Sequence, residues 1–398
     1  MSQLLRDAGD PLEEPGEIEQ PKNRSQAKLT LERLLQNPPT AAAATPSAPP
    51  VAGPSASGPS AAMLPTGRLT NGRLNEGKPR LLLMGQRRSG KSSISSVVFH
   101  KMPPTETLFI ESTTRIQRES LHSFMDFVVL DLPGQLDFLD PAFDTESIFG
   151  ETGALIWVID AQDEYIDAIY RLNHTILALQ QTYPTINIEV FIHKVDGLSD
   201  DYKYDTQRDI IQRVQDELAD HGYDNAPVHF HLTSIYDHSI FEAFSKVIQK
   251  LIPQLPTLEG LLNLLVGNCH MDKAYLFDVL SKIYIATDSS PVDMPSYELC
   301  SDYIDVIVDI SEIYGWDRPP GAIAMGEPQD PNQGPPDAKC WMMMTGGKWL
   351  YLREINKYLA LICILKDECA PHKGMIDYNV QIFKDAIIQV FDPSRRQE

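Results

Sequence analysis

Residues Gly85 to Ser92 read G-Q-R-R-S-G-K-S, directly after the apolar run Leu81 to Met84 and directly before a helix-forming stretch. Glycines at Gly85 and Gly90 let a backbone turn back on itself, so that successive N–H groups point inward at a chain of phosphates. Lys91 follows where an ammonium reaches the terminal phosphates, and Ser92 follows where a hydroxyl reaches Mg²⁺. The chemistry these residues predict is capture of a nucleoside triphosphate together with its magnesium ion. A glycine-rich turn that only starts a structural helix is the competing reading. It weakens because the strand and the helix that a phosphate loop needs are both present.

Four further constellations carry compatible chemistry. Asp131-Leu132-Pro133-Gly134-Gln135 closes the apolar run Phe124 to Leu130. There Asp131 would hold Mg²⁺ through water, Gly134 would offer its N–H to the γ-phosphate, and Gln135 would orient an attacking water. His193-Lys194-Val195-Asp196 closes the run Ile188 to Ile192. A carboxylate at Asp196 accepts two hydrogen bonds from the N1–H and exocyclic amine of guanine, an edge adenine lacks, while the aliphatic stem of Lys194 covers the base. Thr233-Ser234-Ile235, after the run Val228 to Leu232, would supply a backbone N–H to the guanine oxygen. GTP and GDP are therefore the expected ligands and Mg²⁺ the expected cofactor. The polar stretch Lys101 to Ser120 reads as a loop containing Glu111-Ser112-Thr113-Thr114. A threonine there, Thr113 first and Thr114 as the fallback, would bind Mg²⁺ and the γ-phosphate together, ordering the loop with triphosphate and releasing it with diphosphate. A plain surface loop is the alternative.

The elements that must position these groups follow from periodicity. Apolar runs at Leu81 to Met84, Phe124 to Leu130, Ala154 to Ile159, Ile188 to Ile192 and Val228 to Leu232 alternate with amphipathic stretches of helical length. Such alternation predicts a doubly wound, mostly parallel α/β sheet covered by helices, with ligands beyond the carboxyl ends of its strands. Those ends are where the motifs fall.

Composition bounds the rest. A chain of 398 residues has room for two domains and extra segments. Residues 1–78 contain no Phe, Tyr or Trp and hold 11 of the 30 prolines, so they lack the apolar surface to offset ordering entropy and read as a disordered segment. Their eight basic and eight acidic residues cancel, which leaves the formal charge of −21 to residues 79–398. An acidic surface repels nucleic-acid phosphates and anionic lipid, arguing against nucleic acid as a partner. No apolar stretch approaches the roughly 18 residues that span a bilayer, so direct membrane insertion is not expected. The five cysteines, all in the last third and without a C-x-x-C pair, predict free thiols in a reducing, cytoplasmic setting.

With these motifs assembled, the chain resembles the Rag-type small GTPases, and in particular their RagC/RagD branch. The likeness rests on MGQRRSGKSSI, HKMPPTETLFIEST, DLPGQLDF, IHKVDGLSDD, LTSIYDHSIFEAFSKVIQKLIPQLPTLE and IYIATDSSPVDM, and covers most of Leu81 to Asp392. It implies a switch that pairs with a RagA/RagB-like GTPase and reports amino-acid sufficiency to the TOR kinase complex. It also implies a GTPase-activating protein and a membrane-tethering scaffold complex, through which a cytoplasmic protein is recruited to the lysosomal or vacuolar surface. Carried over residue by residue, the phosphate loop falls to Gly85, Arg87, Arg88, Ser89, Gly90, Lys91, Ser92 and Ser93. The loop threonine falls to Thr113, the magnesium and water positions to Asp131 and Gln135, and base recognition to His193, Lys194 and Asp196, beside the Ser92, Gly134, Ser234 and Ile235 read above from their places in the motifs. Against the wider Ras-like pattern, His193 stands where an asparagine usually bridges base and phosphate loop, and Pro133 where a small residue is common. The stretch Trp316 to Ala338, rich in Gly and Pro, has no counterpart and reads as an insertion.

Residues 79–255 thus form the expected GTP-binding domain, and residues 256–392 a second, smaller α/β domain, with 393–398 as a tail. The second reads as helix, two strands, helix, three strands, helix, an order that resembles the roadblock or longin domain through which Rag proteins pair. Its helix from Tyr297 to Tyr314 carries apolar residues over about 220° of its circumference, against the ~100° that packing on one sheet needs. The surplus asks for deeper burial or for a partner subunit. Asp302, Asp305 and Asp309 on its other side read as a solvated face. The function that follows is a switch reset by slow hydrolysis. A nucleotide-stabilised scaffold with little turnover is the rival, disfavoured by Gln135, which a scaffold has no need of.

Overall fold

A computed structural model describes residues 80–111, 113–122, 126–134, 145–223, 227–313, 338–356 and 358–391. Gln135, the segment 1–78, the tail 393–398 and all of the 316–338 insertion except Ala338 lie outside the described residues.

The first sheet is built from β1 (Arg80–Gly85), β2 (Gln117–His122), β3 (Asp126–Asp131), β4 (Thr152–Asp160), β5 (Asn187–His193) and β6 (Val228–Thr233), in the order β2-β3-β1-β4-β5-β6. From β3 to β6 every pairing is parallel. The order reverses around β1, so a crevice opens beyond its carboxyl end. Helices α1 (Lys91–His100), α2 (Thr145–Phe149), α3 (Ile166–Thr182), α4 (Asp200–Asp220) and α5 (Ser239–Gln249) accompany these strands. Strands covered on both faces must be apolar on both, and the alternation shows it. Leu82, Leu155 and Ile188 bury towards the side of α3 and α4, whereas Leu81, Leu83, Ile156 and Phe191 bury towards α1 and α5.

The segment Lys101 to Ser120 is less of a loop than its polarity suggests. A 3₁₀ turn occupies Pro104–Phe109, and β2 begins at Gln117, antiparallel to β3 in the register Gln117↔Asp131. Gln117, Arg118 and Glu119 carry no apolar alternation because β2 is an edge strand, where polar side chains are tolerated and protect against stray pairing.

Helix α6 (Leu255–Cys269) leads into a second sheet of β7 (Lys273–Asp278), β8 (Tyr284–Thr287), β9 (Lys339–Met343), β10 (Lys348–Glu354) and β11 (Leu359–Lys366), antiparallel throughout in the order β8-β7-β11-β10-β9. Its Ala274, Leu276, Leu361 and Cys363 pack with α6 and α8 (Lys373–Val390). The alternating Tyr275, Phe277, Ile362 and Ile364 pack under α7 (Met294–Ile313). One core joins the two sheets, since α5 lies on β8 and Tyr284 N–H donates to Ser245 Oγ at 3.1 Å. All five cysteines are unpaired thiols, four of them buried. Two of the three α7 aspartates have partners: Asp302 meets His238 at 3.3 Å and Asp305 meets Lys282 at 2.5 Å, so this face is tied to its neighbours more than its pattern implied.

Phe244 of α5 stands edge-on to Phe99 of α1 and Phe191 of β5, with ring centroids 5.4 and 5.3 Å away, and is fully buried. Phe244→Ala should therefore cost about 3–5 kcal/mol of unfolding free energy, read by chemical denaturation. A loss below about 1 kcal/mol would contradict this packing.

Candidate nucleotide-binding site

The phosphate loop leaves β1 at Gly85 with φ +136°, and a Cβ there would lie 2.3 Å from the Val158 carbonyl oxygen of β4. Gly90 caps α1 with φ +103°, where a Cβ would meet the His193 ring at 2.7 Å. Both positions need glycine for backbone angle and for room. Between them Ser89 Oγ donates to the Gln86 carbonyl at 2.9 Å. The Lys91 ammonium donates to the carbonyls of Gly85 at 3.0 Å and Gln86 at 2.7 Å, so the loop curls around it. Lys91 is only 5% exposed. Burial lowers its pKa from 10.5 to about 8, with Asp131 pulling the other way.

At the head of α1, Ser92 Oγ donates to Asp131 Oδ2 at 2.6 Å and lies 2.7 Å from Thr113 Oγ1, which is itself 3.4 Å from the same carboxylate oxygen. Thr114, by contrast, is exposed. Burial pushes the Asp131 carboxyl up, against the hydroxyl of Ser92 and the charge of Lys91. Its other oxygen, Oδ1, is buried without a hydrogen-bond partner among the described residues. Two hydroxyls and a carboxylate with a spare lone pair form a hard-oxygen set that fits Mg²⁺. Among the described residues no group of three histidine, cysteine or carboxylate side chains is arranged to hold a metal.

Gly134 packs on the loop so closely that a Cβ would lie 2.3 Å from Arg87 N. The segment from Asp131 to Gly134 is therefore brought to the phosphate end.

At the other end, His193 is buried with Nδ1 3.1 Å from Thr233 Oγ1, and its opposite ring edge lies against Gly90. Burial lowers its pKa to about 4, so the ring is neutral near pH 7. Lys194, in the left-handed region at φ +63°, donates from Nζ to Arg88 O at 2.8 Å and to Asp160 Oδ2 at 2.5 Å. Asp196 sits in the 3₁₀ turn Val195–Gly197 and accepts from Ser234 Oγ at 2.6 Å. The Ser234 N–H donates to Ser239 Oγ at 2.9 Å and the Tyr236 N–H to Ser234 Oγ at 3.1 Å, so side-chain hydroxyls hold this turn.

A cleft of about 590 Å³ joins both ends, lined by Arg87, Arg88, Lys91, Ser92, Ser93 and Thr113 on one side and by His193, Lys194, Asp196 and Ile235 on the other. That volume suits a small-molecule ligand. Sequence reasoning missed Gln162, which also lines the cleft and whose Nε2 donates to the Lys194 carbonyl at 2.6 Å. It also missed Ser234 as a hydroxyl donor that holds a carboxylate. Neither has a sequence signal, because each partner lies more than thirty residues away.

The profile of the Gtr1/RagA G protein conserved region matches residues 80–304. The GTP-binding protein gtr2 of Schizosaccharomyces pombe is 58% identical over 320 residues, covering 79% of this chain and 99% of that protein. The Ras-related GTP-binding protein C of Homo sapiens is 57% identical over 317 residues, covering 79% of this chain and 77% of its own length. For the Ras-related GTP-binding protein D of Mus musculus the figures are 58% over 317 residues, 79% and 69%.

Between about pH 8 and 10.5 the unfolded chain keeps the Lys91 proton that the folded chain has released, so stability rises with pH across this window. The difference in unfolding free energy between wild type and Lys91→Met, without nucleotide, should grow in favour of wild type by roughly 3 kcal/mol over that range. Denaturation at stepped pH reads it, and a flat difference would contradict the burial of this charge.

Proposed function

The chain belongs to the Gtr1/RagA family of G proteins, on the branch of Gtr2 and the Ras-related GTP-binding proteins C and D, and from that premise we propose a specific division of labour within this GTPase. It binds GTP and GDP between Lys91 and Asp196, responds to the outermost phosphate through Thr113, and resets by slow hydrolysis. The observation that carries this reading is the junction of Ser92, Thr113 and Asp131. It ties a residue of the 101–116 segment to the phosphate loop through groups suited to a magnesium ion. When bound, that ion would neutralise the charge between the outer phosphates. Ser92 and Thr113 would hold it directly and Asp131 through water. Lys91 would neutralise the terminal phosphates, Gly134 would offer its N–H to the last of them, and Asp196 would read the guanine edge. Gln135 would orient the attacking water, a role that rests on its place after Gly134 in the sequence.

Single-turnover hydrolysis tests the reset. Gln135→Leu should slow it by about 10-fold or more while leaving GTP affinity near wild type. Equal rates would favour the rival reading, a nucleotide-stabilised scaffold.

The proposed partner surface is in residues 256–392, read as a roadblock-like domain following a GTP-binding domain over 79–255. Helix α7 buries Tyr297, Cys300, Tyr303 and Ile304, yet Val306, Ile310 and Ile313 stand 50, 46 and 74% exposed. Beside it β9 is the edge of its sheet, with Met342 and Met343 exposed. An apolar helix stripe next to an open edge supports pairing with a RagA/RagB-like GTPase. In that heterodimer the chain would relay amino-acid sufficiency to the TOR kinase complex. A tethering scaffold would hold the pair at the lysosomal or vacuolar surface, and an activating protein would accelerate hydrolysis. Among the described residues no helix is long and apolar enough to cross a membrane.

Val306→Asp with Ile310→Asp should abolish co-purification with such a partner while circular dichroism and GDP binding stay as in wild type, because both side chains are solvent-facing. A retained complex would move the interface elsewhere.

A further inference from the structure

We infer that Gln162 is a positioning residue for base recognition: its amide fixes the turn that presents Asp196 to the guanine edge. The inference rests on the reading of Asp196 given above and names what sets its geometry.

Three consecutive residues, the last of β4 and the two after it, hold the two residues that end and follow β5. Asp160 Oδ2 accepts from Lys194 Nζ at 2.5 Å, Ala161 N–H donates to the His193 carbonyl at 2.9 Å, and Gln162 Nε2 donates to the Lys194 carbonyl at 2.6 Å. The strand ladder accounts for the Ala161 bond, since Asp160 pairs with His193. It does not account for the side-chain bonds. Asp160 Oδ1 also accepts from Gln162 N–H at 3.0 Å, so the carboxylate that holds the Lys194 side chain fixes the backbone from which Gln162 reaches the Lys194 main chain.

The Lys194 carbonyl needs a partner because of its backbone. At φ +63° Lys194 leaves the strand direction, and the 3₁₀ turn Val195–Gly197 starts immediately afterwards. That turn is short, closed by Leu198 N–H donating to the Val195 carbonyl at 3.0 Å, and it carries Asp196. A rotation about the Lys194–Val195 peptide would swing the carboxylate away from Ser234 and out of register with a base. The Gln162 amide opposes that rotation. Gly197 lies against the end of the exposed Gln162 side chain: a Cβ there would lie 2.2 Å from Gln162 Nε2 and 2.7 Å from its Cδ, although Gly197 lies outside the left-handed region and needs no glycine for its own backbone. The absent side chain at 197 is room for Gln162.

A mere staple between two loops would hold the turn without affecting which base is preferred, so selectivity separates the two roles. Inosine diphosphate lacks the exocyclic amine, one of the two donors Asp196 would accept. The experiment measures affinities of the purified full chain for GDP and inosine diphosphate, by competition with a fluorescent guanine nucleotide. Gln162→Ala should bind GDP about three- to ten-fold more weakly, the worth of one neutral hydrogen bond, with a smaller loss for inosine diphosphate, so the preference for GDP falls. Gly197→Ala, whose methyl displaces the amide, should give the same loss, and the double variant should be no weaker than either alone. An unchanged GDP preference in Gln162→Ala, or losses that multiply in the double variant, would overturn the positioning role. Asp196→Asn checks the reading beneath it and should weaken GDP roughly 10- to 100-fold. If GDP affinity survives that change, the assignment of Asp196 falls and the inference with it. If Asp196→Asn is weak and Gln162→Ala is silent, only the inference falls.

Discussion

A buried lysine ammonium at the first residue of a helix is the constraint on which the site depends. The amino end of α1 is already positive through its free N–H groups, so burying Lys91 there adds like charge where the backbone supplies it. The chain offsets this in part by curling the Gly85 and Gln86 carbonyls onto the ammonium and by setting Asp131 across from it. The compensation is incomplete in a matched way. Burial pulls the lysine down towards its neutral form and pushes Asp131 up towards its own, and the attraction between the two opposes both shifts without cancelling them. A polyanion arriving with a hard cation satisfies both groups at once. The phosphates would take the ammonium and the helix N–H groups, and the cation would take the oxygens that Ser92, Thr113 and Asp131 bring together. Neither half of that ligand would do alone.

The parallel sheet makes this arrangement possible. Residues 91, 160, 193 and 233 are distant in sequence, yet each follows or ends a strand whose carboxyl end opens on the same crevice. The phosphate end and the base end are then locked together by direct contact. Lys194 Nζ bonds the Arg88 carbonyl, the His193 ring fills the space at Gly90, and Gly85 lies against the Val158 carbonyl. A ligand bound at one end therefore meets a rigid frame at the other. The segment that carries Thr113 meets this frame through side chains, Thr113 on Ser92 and Asp131.

Much of this was legible in the sequence for reasons that can be named. Buried parallel strands read as apolar runs, and the phosphate loop reads directly because its glycines answer local steric needs. The second sheet read equally well: the expected order of helix, two strands, helix, three strands and helix stands as α6, β7 and β8, α7, β9 to β11 and α8. The surplus apolar arc of α7 also proved real, as the exposed stripe of Val306, Ile310 and Ile313. What failed to show was whatever depends on a distant partner. β2 is held by the backbone of β3 and needs no apolar face, so Gln117 to Ser120 passed for loop. Gln162 and Ser234 act through single hydrogen bonds to residues on other strands, and a lone amide or hydroxyl in a loop leaves no period to detect.

His193 illustrates how a departure from pattern is absorbed by packing. An asparagine at this position would bridge with one donor and one acceptor on an amide. A neutral imidazole offers less, one N–H and one lone pair where the amide has two of each, but still one donor and one acceptor, set at opposite edges of a rigid ring. Charge would spoil this, since a protonated ring has two donors and no acceptor, and it would add a cation beside Lys194. Burial prevents it by holding the pKa near 4, with Lys194 pushing the same way. The ring then meets Thr233, whose hydroxyl can donate or accept, and so accommodates either tautomer. It also spans further than an amide, which is why its edge reaches Gly90 and why that glycine must lack a side chain twice over, for its own backbone angle and for the ring. His193 thus touches the phosphate loop at Gly90 and β6 at Thr233. Its contact with the loop is steric and its hydrogen bond is to β6.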